Sequence, residues 1–268
     1  MGPADGGLVA AAGLLAGAVN AVAGGGTLIA FPALLTTGMP ALTANITSSV
    51  GLVTGYAGGA LGYRRELAGQ ATRLRALAIP ALLGGLTGAV VLVVTPAGAF
   101  RAVVGYLVVA ACGLLGAQPW LARLVAGRRA TASAARPTTS GVTTSGVTNS
   151  GVTWPTRAGV FLAGIYGSYF GAGLGVLLLG VLGILLPDDI QRTNAAKTLL
   201  SFGINAIGVT VFVVSAQVSW AFAAILLVTS YAGGVLGARL ARVLPAAALR
   251  GTVVTLGLIV AVVLIVSS

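Results

Sequence analysis

Residues 84 to 101 recur at 233 to 250, and this recurrence constrains the fold more than any other feature of the chain. Gly84-Gly85, Gly88-Ala89, Pro96-Ala97, Ala99 and Arg101 return as Gly233-Gly234, Gly237-Ala238, Pro245-Ala246, Ala248 and Arg250, at a constant offset of 149. Asn45 and Asn194 share that offset. Gly17, Gly24, Gly26 and Pro40 pair with Gly164, Gly171, Gly173 and Pro187 at an offset of 147, so the second copy holds two extra residues near Asp188 and Asp189. The chain is a duplicated unit.

The unit is almost wholly apolar. Mean hydropathy is +1.03, and of 268 residues 57% are hydrophobic and 7% charged. A water-facing surface of this size needs far more charge, so the solvent is lipid. In lipid the backbone must satisfy its own hydrogen bonds, which leaves helices or a closed barrel. Barrel strands alternate apolar and polar residues, and 82–94 and 256–266 do not. The expected fold class is therefore all-α: a polytopic membrane protein of two inverted-topology repeats, each of about five hydrophobic segments, with glycine-broken short helices. Internal duplication in an apolar chain points to a transporter.

Apolar segments run at roughly 8–23, 27–38, 43–62, 76–94 and 99–117, then at 158–170, 174–186, 194–214, 219–237 and 249–266. The expected division is a first transmembrane repeat at 1–117, a cytoplasmic low-complexity linker at 118–156 and a second repeat at 157–268. The linker holds Arg123, Arg128, Arg129 and Arg136, followed by a Ser-Gly-Val-Thr pentad repeat, and is expected to be disordered. A full crossing needs about 20 residues. The first two segments of each set are shorter and are split by Gly24-Gly25-Gly26 and by Gly171-Ala172-Gly173. Each pair reads as short or broken helices meeting inside the bilayer, either crossing or forming a re-entrant hairpin.

If all ten segments cross, 14 of the 15 basic residues fall on one side, Arg101 being the exception. The positive-inside rule makes that side cytoplasmic in a multi-pass protein of the cell inner (plasma) membrane, with both termini outside. Re-entrant hairpins leave that parity unchanged. Residues 1–7 have no basic stretch, so no cleavable signal peptide is expected. The net charge of +11 suits anionic headgroups of the bilayer rather than nucleic acid, because the arginines sit between apolar runs and form no basic face. A homodimer is compatible with the sequence. Small residues four apart, at Gly13/Gly17, Gly55/Gly59, Gly84/Gly88, Gly167/Gly171 and Gly233/Gly237, permit close helix packing or a surface between moving halves.

Enzyme chemistry finds little to work with. There is no histidine, the single Cys112 lies in an apolar segment, and no Walker sequence is present. The acids, Asp5, Glu66, Asp188 and Asp189, all fall near or beyond the interfaces. No cofactor, metal site or buried carboxylate relay is expected. The glycine breaks are the leading candidate site. A broken helix leaves unpaired N–H groups at the start of its second half, and these together with the helix dipole attract anions. Gly24, Gly25, Gly26 and Thr27 open one half-helix; Gly171 and Gly173 open the other. Asn20 precedes the first break and Tyr169 the second. Asn45 and Ser48 open the third segment, and Asn194, Lys197, Thr198 and Ser201 the eighth, with Asn194, Thr198 and Ser201 on one helix face. A lysine in a transmembrane helix either serves function or snorkels to the headgroups; its counterpart by offset is Ser48.

Gly17-Ala18-Val19-Asn20, Gly24-Gly25-Gly26-Thr27, Pro32, Gly38-Met39-Pro40 and Ala44-Asn45-Ile46-Thr47-Ser48 resemble the first half of the sulfite exporter TauE/SafE family. Residues 164–175 and Asn194-Ala195-Ala196-Lys197 are similar to the second half of one branch of it. The second copy departs in having Leu174 at the place of Thr27 and no match for Pro32. The resemblance implies export of sulfite, small organosulfonates or other small anions without ATP. A channel, or a Na⁺-coupled carrier using Asn45, Asn194 and hydroxyls, is the alternative.

Overall fold

The computed structural model describes residues 2–134, 152–186, 188–215, 217–240 and 246–266. Every regular element among them is a helix: α1 (Pro3–Val22), α2 (Thr27–Leu35), α3 (Ala41–Gly62), α4 (Arg64–Leu67), α5 (Ala71–Val94), α6 (Ala97–Ala134), α7 (Trp154–Tyr169), α8 (Leu174–Leu185), α9 (Ile190–Ser215), α10 (Trp220–Leu240) and α11 (Ala246–Val266). Each of the ten apolar segments is one helix. The short α4 joins α3 to α5. α6 continues through Pro119 to Ala134, so 118–134 is helical where the sequence suggested irregular chain. The pentad repeat lies outside the described residues.

Five helices are long and apolar enough to cross a membrane: α1, α5, the 97–121 part of α6, α9 and α10. The chain is a multi-pass membrane protein. α3 has the length, 22 residues, but carries Asn45, Thr47, Ser48 and Ser49, all buried. It can do so because neighbouring helices shield it from lipid. The outer surface is apolar instead, with Ile79, Val94, Val228 and Val262 all exposed.

The two short pairs are hairpins. α1 runs in the same direction as α10, for Gly13 faces Leu226, Gly17 faces Ser230 and Ala18 faces Gly237. The N–H of Ser219, just before α10, donates to Thr47 Oγ1 near the start of α3 at 3.2 Å. α1, α3 and α10 therefore begin at one end of the bundle. α2 returns to that end, where Leu35, Met39 and Pro40 line a cavity with Arg101. The second pair enters from the opposite end. α7 runs along α5, with Phe161 against Gly84 and Ile165 against Gly88, and α8 leads back to Asp188 beside Arg73. That opposite end gathers the other described arginines. Arg64, Arg65 and Arg239 line one cavity, Arg73 and Arg192 meet on Asp188, and Arg157 faces Ala76 and Pro80. The charge segregation read from the sequence holds, with Arg101 alone at the other end among described residues.

Helices are exchanged between the halves of the sequence. α10 packs on α1 and α3, whereas α5 packs on α7 and α9. α2 touches α11 where α8 touches α6, and α3 meets α9 as α6 meets α11. Lipid supplies no hydrophobic drive for helix association, so close backbone approach must do so. The duplicated glycines provide it. A Cβ on Gly84 or Gly88 would strike the carbonyls of Phe161 and Ile165, and one on Gly233 or Gly234 those of Leu14 and Gly55. The recurring Gly-Gly motif is the seam of each exchanged helix.

Asp188 ties the arginine-rich end together by accepting from Arg73 and, at 3.1 Å, pairing with Arg192. Burial pulls its carboxyl up, but the Asp189 N–H, the Arg73 hydrogen bond and the charges of Arg73 and Arg192 outweigh burial and hold it below the ordinary carboxylate range. A depressed carboxyl contributes stability above its unfolded value of about 3.9 and loses it as pH falls through the lower folded value. Asp188→Asn should lower the melting temperature of the solubilised protein at pH 7 by a few degrees, and should flatten the part of the acid-induced decline below about pH 4. Melting curves from pH 7 to pH 3 check both.

Candidate functional site

The two glycine breaks have the same construction. At the end of α1 the N–H groups of Ala23 and Gly24 both donate to the Val19 carbonyl; at the end of α7 those of Phe170 and Gly171 both donate to Tyr166. Gly24 and Gly171 each sit at φ +81°, the left-handed conformation that closes a helix and that glycine adopts at least cost. Gly173, at +83°, adds a second such turn before α8.

The breaks lie against each other. A Cβ added to Gly175 would come within 2.6 Å of Gly24 Cα, and one on Gly171 within 3.4 Å of Thr27 Oγ1. Phe31 of α2 and Phe170 pack edge to face across the same junction, with ring centres 5.8 Å apart. Both breaks rest on α6, Gly25 on Leu115 and Gly173 on Leu114. The N-termini of two antiparallel half-helices thus converge inside the bundle. The Gly26 N–H is held by Asn20 Oδ1 at 2.7 Å. Among described residues, those of Gly25, Thr27, Ala172, Gly173 and Gly175 make no hydrogen bond.

Polar side chains approach this junction from two sides. From the arginine-rich end comes α9. A Cβ on Gly59 of α3 would lie 3.0 Å from Thr198 Cγ2 and 3.5 Å from Ala21 Cβ, so the start of α9 meets α3 beside the end of α1. Lys197 is 1% exposed and its Nζ has no hydrogen-bond partner; it does not snorkel. Among described residues it is the only buried charged side chain. A desolvated ammonium without a counter-charge is costly, and an ionisable residue inside a membrane bundle is a candidate site by default. Thr198 donates its hydroxyl to the Asn194 carbonyl at 2.8 Å, and Asn194 Oδ1 is buried without a partner.

From the other end comes α3. Asn45 Nδ2 donates to the Tyr169 carbonyl at 2.9 Å, joining α3 directly to the second break, while its Oδ1 has no partner. Ser48 and Ser49 both donate to the Asn45 carbonyl. Tyr169 contributes that carbonyl, while its ring packs on Phe100. The thirteen candidate residues do not form one cluster. Asn45 and Asn194 stand on opposite sides of the breaks, because the helices they open start from opposite ends.

Tyr56 and Asn205 escaped the sequence reading. The Tyr56 hydroxyl lies beside Asn20, and neither it nor Asn20 Nδ2 makes a hydrogen bond, although both are buried. Ser201 Oγ is likewise buried without a partner, and Asn205 Nδ2 donates to the Ser201 carbonyl at 2.9 Å. The signal was present: Asn205 continues the helical face already formed by Asn194, Thr198 and Ser201, and Tyr56 precedes Asn205 by the repeat offset. Among the described residues, the buried polar groups at this centre are amides, hydroxyls and one amine, with no carboxylate.

Comparison with known proteins gives the family. The sequence pattern described as sulfite exporter TauE/SafE matches residues 9–264. A "probable membrane transporter protein ORF9" of Sinorhizobium sp is 24% identical over 230 residues, covering 86% of this chain and 80% of its own. A "probable membrane transporter protein" of Haemophilus influenzae is 24% identical over 228 residues, covering 85% and 82%. No solved structure matches. Converging helix breaks in a multi-pass bundle, and a family pattern spanning nearly its whole length, place the chain in the sulfite exporter TauE/SafE family of membrane transporters.

Proposed function

We propose that this transporter carries small anions, sulfite or organosulfonates first among them, outward by alternating access of two inverted halves. The observation that carries the reading is Lys197, a buried amine with no hydrogen-bond partner, next in sequence to Thr198, which packs beside the end of α1, in a bundle where two half-helix N-termini present uncommitted N–H groups. Asn20 supports it. Its oxygen is engaged by Gly26, so the group it offers a ligand is the donating Nδ2. Dipole ends, amide donors and an ammonium all suit an oxyanion. The exchanged packing of α5 and α10 supports an inverted pair, since each helix has the counterpart contacts of the other.

The arginine-rich end is taken as cytoplasmic in the plasma membrane. Leaving a cell that is negative inside, an anion moves downhill by about 2.3 kcal/mol per charge per 100 mV. Such a substrate needs neither ATP nor an internal carboxylate relay to drive it. In proteoliposomes, labelled sulfite or a small sulfonate should equilibrate with saturating kinetics, and flux should follow an imposed potential. Flux that never saturates would favour a channel. Strict dependence on Na⁺ would favour a cation-coupled carrier, a reading that draws on the unpaired oxygens of Asn45 and Asn194.

A further inference from the structure

The openings of α3 and α9 match at Asn45 and Asn194 and at Ser49 and Thr198, and differ in charge at one position. Ser48 and Lys197 are related by the repeat offset, and each stands seven residues into its helix, after Ala41 and Ile190. At 1.5 Å per residue each is about 10 Å from its own end of the bundle. Both are fully buried. Their surroundings correspond too. Ser49 and Thr198 occupy equivalent positions and each donates its hydroxyl back to the carbonyl of the equivalent asparagine, at 3.0 and 2.8 Å. Asn45 and Asn194 each keep an unpaired Oδ1. The exception is the side chain between them. Ser48 spends its hydroxyl on the Asn45 carbonyl at 2.9 Å, while Lys197 Nζ has no hydrogen-bond partner among the described residues.

We infer that this single amine makes the carrier asymmetric: anions are bound more tightly from the arginine-rich end, through Lys197, than from the other end, where Ser48 stands. The inference rests on the anion-carrier reading above. In the state open toward α9, an arriving anion meets a positive donor that lacks a counter-charge. In the opposite state it meets a neutral hydroxyl already committed. Charge-assisted hydrogen bonds are roughly twice as strong as neutral ones, a difference that corresponds to about tenfold in affinity. Detailed balance adds a second signature. A passive carrier at zero potential must have equal Vmax/KM in the two directions, so the tighter face also turns over more slowly. The carrier would thus load from dilute internal anion and release readily outside.

The test uses the full-length protein in right-side-out and everted membrane vesicles clamped at zero potential, with labelled sulfite as probe. KM from the arginine-rich face should be about tenfold lower than from the other, with Vmax lower by the same factor. Lys197→Met should bring the two KM values to within about twofold of each other, chiefly by weakening the tighter face. If that variant does not elute as a single species, Lys197→Gln serves in its place. Equal KM values on both faces of the wild type overturn the inference and leave the anion-carrier reading intact. So does an asymmetry that survives both substitutions. Wild-type vesicles that move neither sulfite nor a sulfonate in either direction overturn the parent reading, and this inference falls with it.

Discussion

Gly24→Val should abolish transport and sharply lower the thermal stability of the purified protein. Two costs add. At φ +81° an L side chain meets its own backbone, which costs about 1–2 kcal/mol. The new Cβ must also occupy the space of Gly175, whose backbone belongs to the other half; overpacking a tight contact costs about 1–3 kcal/mol more. Neither backbone yields readily, because the Gly24 N–H closes α1 onto the Val19 carbonyl and Gly175 lies in the first turn of α8. Two comparisons isolate the contact. Gly38 has nearly the same φ, +82°, but nothing lies within 4 Å of its added Cβ, so Gly38→Val should lose only the conformational part. Gly25 has an ordinary φ and meets only the flexible end of Leu115, so Gly25→Ala should be mild. Melting curves of the three variants, with sulfite flux alongside, settle the order. If Gly24→Val melts no lower than Gly38→Val, the two breaks do not touch.

Asn20→Asp should remove anion transport almost completely while leaving the fold assembled. The Gly26 N–H still finds an acceptor, since Asp retains an oxygen where Asn20 Oδ1 sits at 2.7 Å. The Nδ2 donor, which is buried and without a partner, is replaced by an oxygen. A carboxylate then stands beside the Tyr56 hydroxyl and the helix N-termini, taking the place of the anion and repelling it. Losing one charge-assisted donor and adding a like charge is worth at least about 3 kcal/mol, more than a hundredfold in flux at limiting substrate. Asn20→Leu separates the effects. It leaves the Gly26 N–H unsatisfied at about 1–3 kcal/mol and should depress stability more than Asn20→Asp does. Asn20→Asp also distinguishes the charge of the cargo. Flux that rises, with Na⁺ binding strengthened, would show a cation site and end the anion reading.

The sequence carried the local features plainly. Apolar runs of set length give helices in lipid wherever they occur, so all ten segments could be placed. Gly24 and Gly171 mark helix ends because a left-handed turn is needed there and glycine supplies it. The repeat offset tied the two breaks together before any contact was known. It also singled out the position where Lys197 replaces Ser48. α6 was misjudged beyond 117, because Pro119 and the following arginines look like a boundary while the helix continues past both. Tyr56 was overlooked because a tyrosine in an apolar run reads as packing until its hydroxyl is seen to lack a partner.

What periodicity and composition determined was solvent, the ten apolar helices, break positions and the segregation of positive charge, all properties of a chain acting on itself or on the bilayer. Tertiary structure alone decided that the short pairs turn back, that α5 and α10 change sides, and that Asn45 and Asn194 face the junction from opposite ends. The reason is that these depend on which backbones approach closely enough to touch. Gly84, Gly88, Gly233 and Gly234 announce in the sequence that close contact will occur, but a missing side chain names no partner.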